Sequence, residues 1–427
     1  MSARKALLLF ALLIAFVGVT YAVRAASNRP PEFLSIRPKV DEDELGRLVD
    51  VFSARVANGG GAADVAFLGQ LYLRRAELSQ QIGDFELARR HLVTAAEQYP
   101  AVATLTNLAQ ADLSLHNFSA AEAMATDVIA VDPSSTAARA IAVDARMALG
   151  KYQQADIDLT QLERILPGHP AVTIRRAQLL FLTGDGEGAA TAAEAAAQSA
   201  ARLPGSDQGF YHVAAGRLWF EQGAYAKARF HLEEASRLDP NSAAALYELG
   251  RALAAEDDTS GAIEALERAT NLVPEPATLA LLGDLYQVVG ENSLASDQYD
   301  TIRAIAALEQ DPYRRAVAAA LGEKGLEADL VIKLTENELG VRSDPTTWDV
   351  RAIALLNAQR IDEAYEASGR AIGPADARIW YHAGLIAAAA GHSEEAIIRL
   401  QRALDLNPRF HPVLAAHAAQ LLGDLRG

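Results

Sequence analysis

Proline recurs along this 427-residue chain at a nearly constant spacing, and this periodicity restricts the possible folds more than any other feature. The first three members of the series are 33 and 34 residues apart, and a later pair is again 34 residues apart. Self-similarity at a period of about 20–50 residues indicates a stack of similar supersecondary units rather than one globular core. The recurring residues are Pro100, Pro133, Pro167, Pro240, Pro274 and Pro408.

Small residues recur at two fixed positions inside each repeat unit. An alanine follows a short turn, as Ala88 follows Gly83 and Phe85, and a small residue or valine lies twelve positions earlier, as Ala76 does. Two antiparallel helices can approach closely only where their facing side chains are small. Leu92 and its equivalents, four residues past the alanine, lie on the same helical face. The pattern therefore predicts helical hairpins, which must stack on neighbouring hairpins to bury that face.

These turns, small residues and closing prolines resemble the tetratricopeptide repeat (TPR), a helix–turn–helix unit of about 34 residues. The resemblance implies an all-α fold, a right-handed α-solenoid of about ten repeats that covers roughly residues 64–409. We expect an N-terminal array over 64–204, a C-terminal array over 205–409 and a capping helix within 410–427, because residues 204–207 interrupt the pattern. Clear units centre on Ala88, Ala121, Ala155, Ala228, Ala262, Ala295 and Ala396, and weaker ones centre on Ala189, Ala328 and Ala364.

The N-terminus carries a membrane signal. Ala6–Val23 is a run of 18 residues without a charge, which spans about 27 Å as a helix and so approaches the ~30 Å hydrocarbon core. Its length favours a retained single-pass transmembrane anchor (residues 1–23) over a cleaved signal sequence, whose apolar region is shorter, and over a buried helix. Residues 24–63 form a linker with a short amphipathic helix, Asp41–Ala57. We expect the large domain to be extracytoplasmic (periplasmic), with a cytosolic orientation as the alternative.

Composition excludes several classes of chemistry. The chain has no cysteine, which excludes disulfides, Cys-ligated zinc, iron–sulfur clusters and a thiol nucleophile. It has 39 basic and 55 acidic residues and a net charge of −16, which argues against a nucleic-acid partner. Motifs for a phosphate loop, a serine hydrolase and a zinc protease are missing, and His212 and His382 occupy packing positions. We therefore predict no enzyme activity, no cofactor, no metal and no small-molecule substrate.

The concave side of the solenoid is the candidate binding surface, because the first helix of each TPR unit lines it. Arg217 and Arg251 lie one repeat apart, and two guanidinium groups beside aromatic rings can hold a carboxylate or an acidic–aromatic peptide. In the alternative, the two arginines pair with Glu221 and Glu248 along their own helices. The candidate groove residues are Phe181, Phe210, Val213, Arg217, Phe220, Tyr247 and Arg251.

The resemblance and the apolar N-terminal run together indicate a membrane-tethered scaffold or adaptor that mediates protein–protein interactions. Such a protein would serve an envelope-associated assembly of the secretion, polysaccharide-export or cytochrome-maturation type. The alternative is an exported peptide-binding or chaperone-like protein whose signal sequence is cleaved. An enzyme that uses the repeats as a substrate ramp is disfavoured, because no other non-repeat segment exceeds the 24–63 linker. The expected partners are proteins or peptides at the groove and the membrane at Ala6–Val23.

Overall fold

The computed structural model describes residues 42–79, 81–203, 205–307 and 314–427, and every regular element in these ranges is helical. The expected membrane segment, Ala6–Val23, lies outside the described residues. None of the helices that the structure does describe combines the length and the apolar character needed to cross a bilayer.

Twenty-two α-helices and a short 3₁₀ helix, Ala200–Arg202, follow one another in the described ranges. Helices α2 to α21 form ten antiparallel pairs, which agrees with the number of repeats that the sequence predicts. We call the members of a pair the first and second helix, their connection the hairpin turn, and the connection to the next pair the inter-pair loop. The helices are α1 (Glu42–Ala57), α2 (Ala62–Ser79), α3 (Ile82–Gln98), α4 (Val102–Ser114), α5 (Phe118–Val131), α6 (Thr136–Ala148), α7 (Tyr152–Ile165), α8 (Pro170–Leu182), α9 (Gly186–Ser199), α10 (Gly205–Glu221), α11 (Tyr225–Leu238), α12 (Ala243–Ala255), α13 (Thr259–Leu272), α14 (Pro276–Val288), α15 (Asn292–Ala307), α16 (Arg314–Glu323), α17 (Ala328–Leu339), α18 (Pro345–Asn357), α19 (Ile361–Ala371), α20 (Ala377–Ala389), α21 (Ser393–Leu406) and α22 (Leu414–Arg426).

Small residues hold the two helices of a pair close together, as the sequence predicts. Ala76 of α2 and Ala88 of α3 are both fully buried. In α10, a Cβ atom on Gly216 would lie 2.5 Å from Cγ of Leu232 in α11, so this position has no room for a side chain. Because protein interiors are close-packed, the leucine of the second helix fills the space that the glycine leaves.

The two ends of the array are covered by single helices. The amphipathic helix expected over Asp41–Ala57 corresponds to α1, which buries Val49 and Phe52 against α2. At the other end α22 follows the last pair and buries Ala418 and Leu422. Such terminal helices shield the apolar faces of the outermost repeats.

The described helices on the two sides of residue 204 share one core. Ala193 and Ala197 of the alanine-rich helix α9 lie in the same buried cluster as Tyr211 and Ala215 of α10. The N-terminal and C-terminal arrays expected from the sequence are therefore in direct contact at this point.

The array winds so tightly that later pairs lie on earlier ones. In the loop before α18, the main-chain N–H of Ser343 donates a 3.1 Å hydrogen bond to the carbonyl of Ala148. In the loop before α20, the N–H of Ala375 donates a 3.0 Å hydrogen bond to the carbonyl of Phe181. Two successive turns of the superhelix are thus hydrogen-bonded to each other.

The loop before α22 makes the same type of contact with its side chains. Asn407 Nδ2 donates to the carbonyl of Phe220 (2.7 Å), and an Arg409 guanidinium nitrogen donates to the carbonyl of Ala255 (2.6 Å). All four carbonyls lie at the C-terminal ends of first helices, where helical carbonyls have no partner within the helix. We call this line of contacts, in which inter-pair loops cap earlier first helices, the seam.

Glycine is required where the seam passes closest to a hairpin turn. Gly184 has a left-handed backbone (φ 94°), and a Cβ atom there would lie 2.8 Å from the carbonyl oxygen of Gly373. At Gly150 (φ 72°) a Cβ atom would lie 3.1 Å from the carbonyl oxygen of Ser343. A residue with a side chain would be strained in its backbone and would push the two turns apart.

Candidate functional site

The first helices of five successive pairs surround a cavity of about 150 Å³ on the inner side of the superhelix. Its wall comes from α12, α14, α16, α18 and α20, and is completed by Phe220 and by the inter-pair loop at Phe410. Ala277, Thr346 and Arg409 in this wall are exposed, so the space is open to solvent. We call it the inner cavity. Short side chains leave the space between the helices, namely Ala277, Ala280, Ala316, Ala319 and Ala320.

Three of the seven predicted groove residues line this cavity, namely Phe220, Tyr247 and Arg251. The other four are not part of its wall. Phe210 is 60% exposed and packs edge-on against Tyr211, with ring centroids 5.2 Å apart. At these three residues the inner side of the superhelix forms a pocket, in the region where the sequence predicted a concave groove.

Arg251 is fully engaged by acidic neighbours. Its guanidinium donates hydrogen bonds to Glu221 (2.7 Å) and Glu248 (2.8 Å), and the three side chains are 9–11% exposed. The guanidinium carbon also lies 4.2 Å from the centroid of the Phe220 ring, a cation–π geometry. The bond to Glu248 is the pairing along the helix that the sequence left open for Arg251, and the bond to Glu221 comes from the preceding first helix. Together they leave Arg251 no unpaired charge for a ligand.

Arg217 has a different environment. It donates a 3.2 Å hydrogen bond to the neutral amide oxygen of Gln178, and its guanidinium carbon lies 6.0 Å from the centroid of the Phe181 ring. In the part of the chain that the structure describes, no carboxylate pairs with Arg217. Val213, one turn earlier in the same helix, is half-buried.

A second buried network joins three helices, and two of its members, Glu323 and His411, line the cavity. Asp284 of α14 accepts a hydrogen bond from Tyr299 (2.8 Å) and contacts the Lys324 ammonium and His411 Nε2, the latter at 3.2 Å. Glu323 of α16 faces the same histidine at 3.7 Å. Burial would raise the pKa of Glu323, but the cations around it, foremost Arg378, hold this pKa at about 2. Both carboxylates are therefore ionised and matched by internal cations.

His382 forms a third ion pair in the cavity wall. Its Nδ1 lies 2.9 Å from a carboxylate oxygen of Asp349, and both side chains are nearly buried. Burial lowers the pKa of His382, but the attraction of Asp349 is stronger and raises the pKa above its usual value. The sequence predicted a packing residue here, and the structure adds a partner for its charge.

Asp284, Glu323 and His411 each offer one ligand atom, and these atoms lie within 4.8 Å of one another. This geometry suits a metal ion in principle. However, the ammonium of Lys324 already contacts Asp284 and lies 3.8 Å from Glu323. The positive charge that a metal would supply is present as a lysine side chain, so the cluster is complete as an ion-pair network.

Sequence reasoning missed this network, although one signal for Asp284 was available. Arg217 and Arg251, two of the predicted groove residues, each directly follow the small glycine of their first helix. Asp284 follows Gly283, which lies twelve residues before Ala295 in the same register. His411 and Lys324 carried no such signal, because one lies in an inter-pair loop and the other in a hairpin turn.

The comparisons with known proteins agree with this architecture. Models of the tetratricopeptide repeat match residues 220–285, from the end of α10 into α14, and residues 377–410, which contain the pair of α20 and α21. The chain therefore carries tetratricopeptide repeats. No curated protein sequence matches it significantly.

Several solved structures are similar to this chain at low sequence identity. A human IFIT1 dimer with PPP-AAAA is 15% identical, with a TM-score of 0.43 over 86% of this chain and 95% of that chain. Pseudomonas aeruginosa PilF is 16% identical, with a TM-score of 0.42 over 48% of this chain and 91% of its own. YrrB, described as a TPR protein with an unusual peptide-binding site, is 18% identical, with a TM-score of 0.33 over 44% of this chain and 95% of its own. These likenesses concern the fold alone.

Proposed function

We propose that this protein is a TPR scaffold that holds a partner polypeptide at the inner cavity. The observation that carries the proposal is the convergence of the first helices of five pairs on one space that is open to solvent. Solenoid proteins bind their partners on the surfaces that successive repeats present together. The inner cavity is such a surface, closed down to a pocket by the tight superhelix.

The size and lining of the cavity define what it accepts. A volume of about 150 Å³ is that of a protein cavity able to hold one benzene-sized group, which suits one side chain or one chain end. The wall of the inner cavity is rich in alanine, and Arg251 and His382 in this wall already have acidic partners. We therefore propose that the partner inserts one apolar anchor residue, because such buried anchors commonly dominate protein interfaces. Arg217 beside Phe181 is the position for an acidic group of the same partner.

The membrane tether is part of the same proposal. The uncharged run Ala6–Val23 would anchor the chain and place the repeats on the extracytoplasmic side, in an envelope-associated assembly. A cleaved signal sequence, which would release an exported peptide-binding protein, is the second candidate, and the small residues Ala22 and Ala25 would provide its cleavage site. The acidic charge of −16 favours protein partners over nucleic acid.

Site-specific photo-crosslinking tests the binding site. A photoreactive benzoylphenylalanine is placed at exposed Thr346 in the cavity wall, or at Ile157, which is 63% exposed away from it. Crosslinks to a partner are expected from the first position and not from the second. Ala319→Phe fills the cavity and should abolish the crosslink, while Ala120→Phe, at an exposed site, should leave it intact. A crosslink that persists in Ala319→Phe contradicts the cavity as the binding site.

Because the sequence has no cysteine, a single introduced thiol can report on which side of the membrane the repeats lie. Ser199→Cys introduces one exposed thiol. In intact cells, a membrane-impermeant maleimide should label it if the repeats are extracytoplasmic, and labelling that requires lysis contradicts this orientation. Mass spectrometry of the purified protein distinguishes an intact N-terminus, expected for an anchor, from a start after Val23, expected for a cleaved signal.

A further inference from the structure

The seam brings together two kinds of surface, hairpin turns and inter-pair loops, and each is buried where it contacts the other. We call a turn or loop that is buried in this way seated. The hairpin turn at Gly184 receives the loop at Gly373 with the 2.8 Å spacing described above. Where α10 is capped, Leu406 at the end of α21 is 7% exposed and Asn407, which begins the inter-pair loop, is fully buried. These values show what a seated hairpin turn and a seated inter-pair loop look like.

The hairpin turn between α14 and α15 is the first one beyond the seam, and no inter-pair loop of the described structure covers it. A Cβ atom on Gly290, between α14 and α15, would meet nothing within 4 Å. Val288 and Val289 beside it are 55% and 49% exposed, and Leu294 is 41% exposed. This turn has the left-handed glycine of its seated equivalents, with φ 86°, but its apolar side chains face solvent in the described structure.

The early inter-pair loops are unseated in the same way. Counted from the closing proline, Val131 is equivalent to Leu406 and Tyr99 is equivalent to Asn407. Val131 is 74% exposed and Tyr99 is 68% exposed, whereas both equivalents are buried in the seam. One rim of the superhelix therefore presents unseated hairpin turns and the opposite rim presents unseated loops.

We propose that a second copy of this chain docks head to tail on the first and continues the seam. The loops at Tyr99 and Val131 of one copy then lie on the hairpin turns from Gly290 onward of the other. A second copy is the occupant because it alone is certain to carry the matching loop surface, repeated in the same order. Such an interface is heterologous, since two different surfaces of the same chain meet, and it can be extended by further copies.

Electrostatics gives the association a recognisable salt dependence. Each chain has a net charge of −16, so two copies repel each other at long range. Added salt screens this repulsion and leaves the apolar contact at Val131 and Val289 in place. Self-association should therefore strengthen as the salt concentration rises, opposite to an interface built from ion pairs.

The test uses the full chain in detergent and measures its mass distribution by sedimentation velocity over a concentration series. The parent should form dimers and larger species. Val289→Glu damages only the hairpin-turn surface and Val131→Glu damages only the loop surface, so each variant alone should associate at least about tenfold more weakly. Ile157→Glu, at a site 63% exposed within α7, is the matched control and should behave like the parent.

Mixing the two damaged variants distinguishes head-to-tail docking from any symmetric dimer. The intact loop surface of Val289→Glu fits the intact hairpin-turn surface of Val131→Glu, so an equimolar mixture should give dimers and no larger species. A mixture that stays monomeric, or single variants that associate like the parent, would overturn the proposal. A parent that is monomeric at every concentration also overturns it, and protection of a Val289→Cys thiol in that monomer would identify residues 1–41 as the occupant.

Discussion

Asn407 Nδ2 donates a 2.7 Å hydrogen bond to the main-chain carbonyl of Phe220, a residue 187 positions earlier in the sequence. The carboxamide oxygen of the same side chain accepts a 2.6 Å hydrogen bond from the Tyr225 hydroxyl. One fully buried amide thus joins two turns of the superhelix, and four tests of the structure follow from this and related contacts.

Asn407→Ala should destabilise the fold by about 1–3 kcal/mol, because the carbonyl of Phe220 and the hydroxyl of Tyr225 each lose one of their hydrogen-bond partners. Thermal unfolding followed by circular dichroism measures this as a lower Tm. The matched control is Asn241→Ala, in an exposed early inter-pair loop, which should change Tm very little. Equal melting temperatures for the two variants would mean that the seam contributes no stability at this point.

Gly184→Ala should destabilise the protein more than Gly290→Ala. Both glycines have a left-handed backbone, with φ 94° and 86°, so both substitutions carry a backbone cost of about 1–2 kcal/mol. Only at Gly184 would the new Cβ also collide with the carbonyl of Gly373, at 2.8 Å. The difference between the two unfolding free energies, measured with urea, therefore isolates the close approach of the two turns, and a difference near zero contradicts it.

Arg251→Ala should cost about 3–5 kcal/mol, because it leaves Glu221 and Glu248, each about 9% exposed, without their shared cation. Arg229→Ala removes an arginine that also contacts two glutamates but is 48% exposed, and it should cost no more than about 1 kcal/mol. Urea unfolding of both variants provides the comparison. Similar losses would show that the Arg251 network is as solvent-screened as the surface pair.

His116 should make the protein less stable as the pH falls from about 6.5 to about 4. Burial, reinforced by the nearby positive charges of Arg342 and Arg315, lowers the pKa of His116 from 6.5 to about 4. Between pH 6.5 and pH 4 the His116 imidazole binds a proton in the unfolded chain but stays neutral in the folded chain, so protonation favours unfolding. Above pH 6.5 the imidazole is neutral in both states and the effect disappears.

The variant that tests this is His116→Asn, since asparagine tolerates the left-handed backbone of this turn (φ 61°) and does not titrate. Its Tm should fall less between pH 6.5 and pH 4 than the Tm of the parent. Glu323, with a pKa of about 2, loses its contribution below pH 4.5 in both proteins and cancels in the comparison. Identical pH profiles would show that His116 is not held neutral by the fold.

The architecture was largely predictable because the repeat unit encodes it locally. The twelve-residue spacing between Ala76 and Ala88 reports one helix crossing within one pair, and the structure buries both residues completely. Local signals of this kind determine helices, turns and nearest neighbours. These signals predicted about ten helix pairs, the two terminal helices and the small residues between the helices of a pair.

The pitch of the superhelix could not be predicted in this way. It is set by small rotations between successive pairs, which add up before Asn407 meets Phe220 or the loop before α18 meets the hairpin turn at Gly150. The concave groove expected around Arg251 takes the form of a pocket for the same reason, because later pairs complete its wall. Pairs such as His411 and Asp284, which belong to distant parts of the sequence, become neighbours only through that accumulated rotation.

Ordinary repeat stacks behave almost one-dimensionally, since each unit touches only its neighbours and can form or unravel from any point. The capping of Ala148 and Phe181 by Ser343 and Ala375 adds contacts of high sequence separation, which slow folding and make distant units form together. During synthesis, a nascent chain that has emerged only as far as α15 still has these carbonyls open to water. Its third and fourth helix pairs reach their final stability only when the ribosome has delivered the repeats that follow.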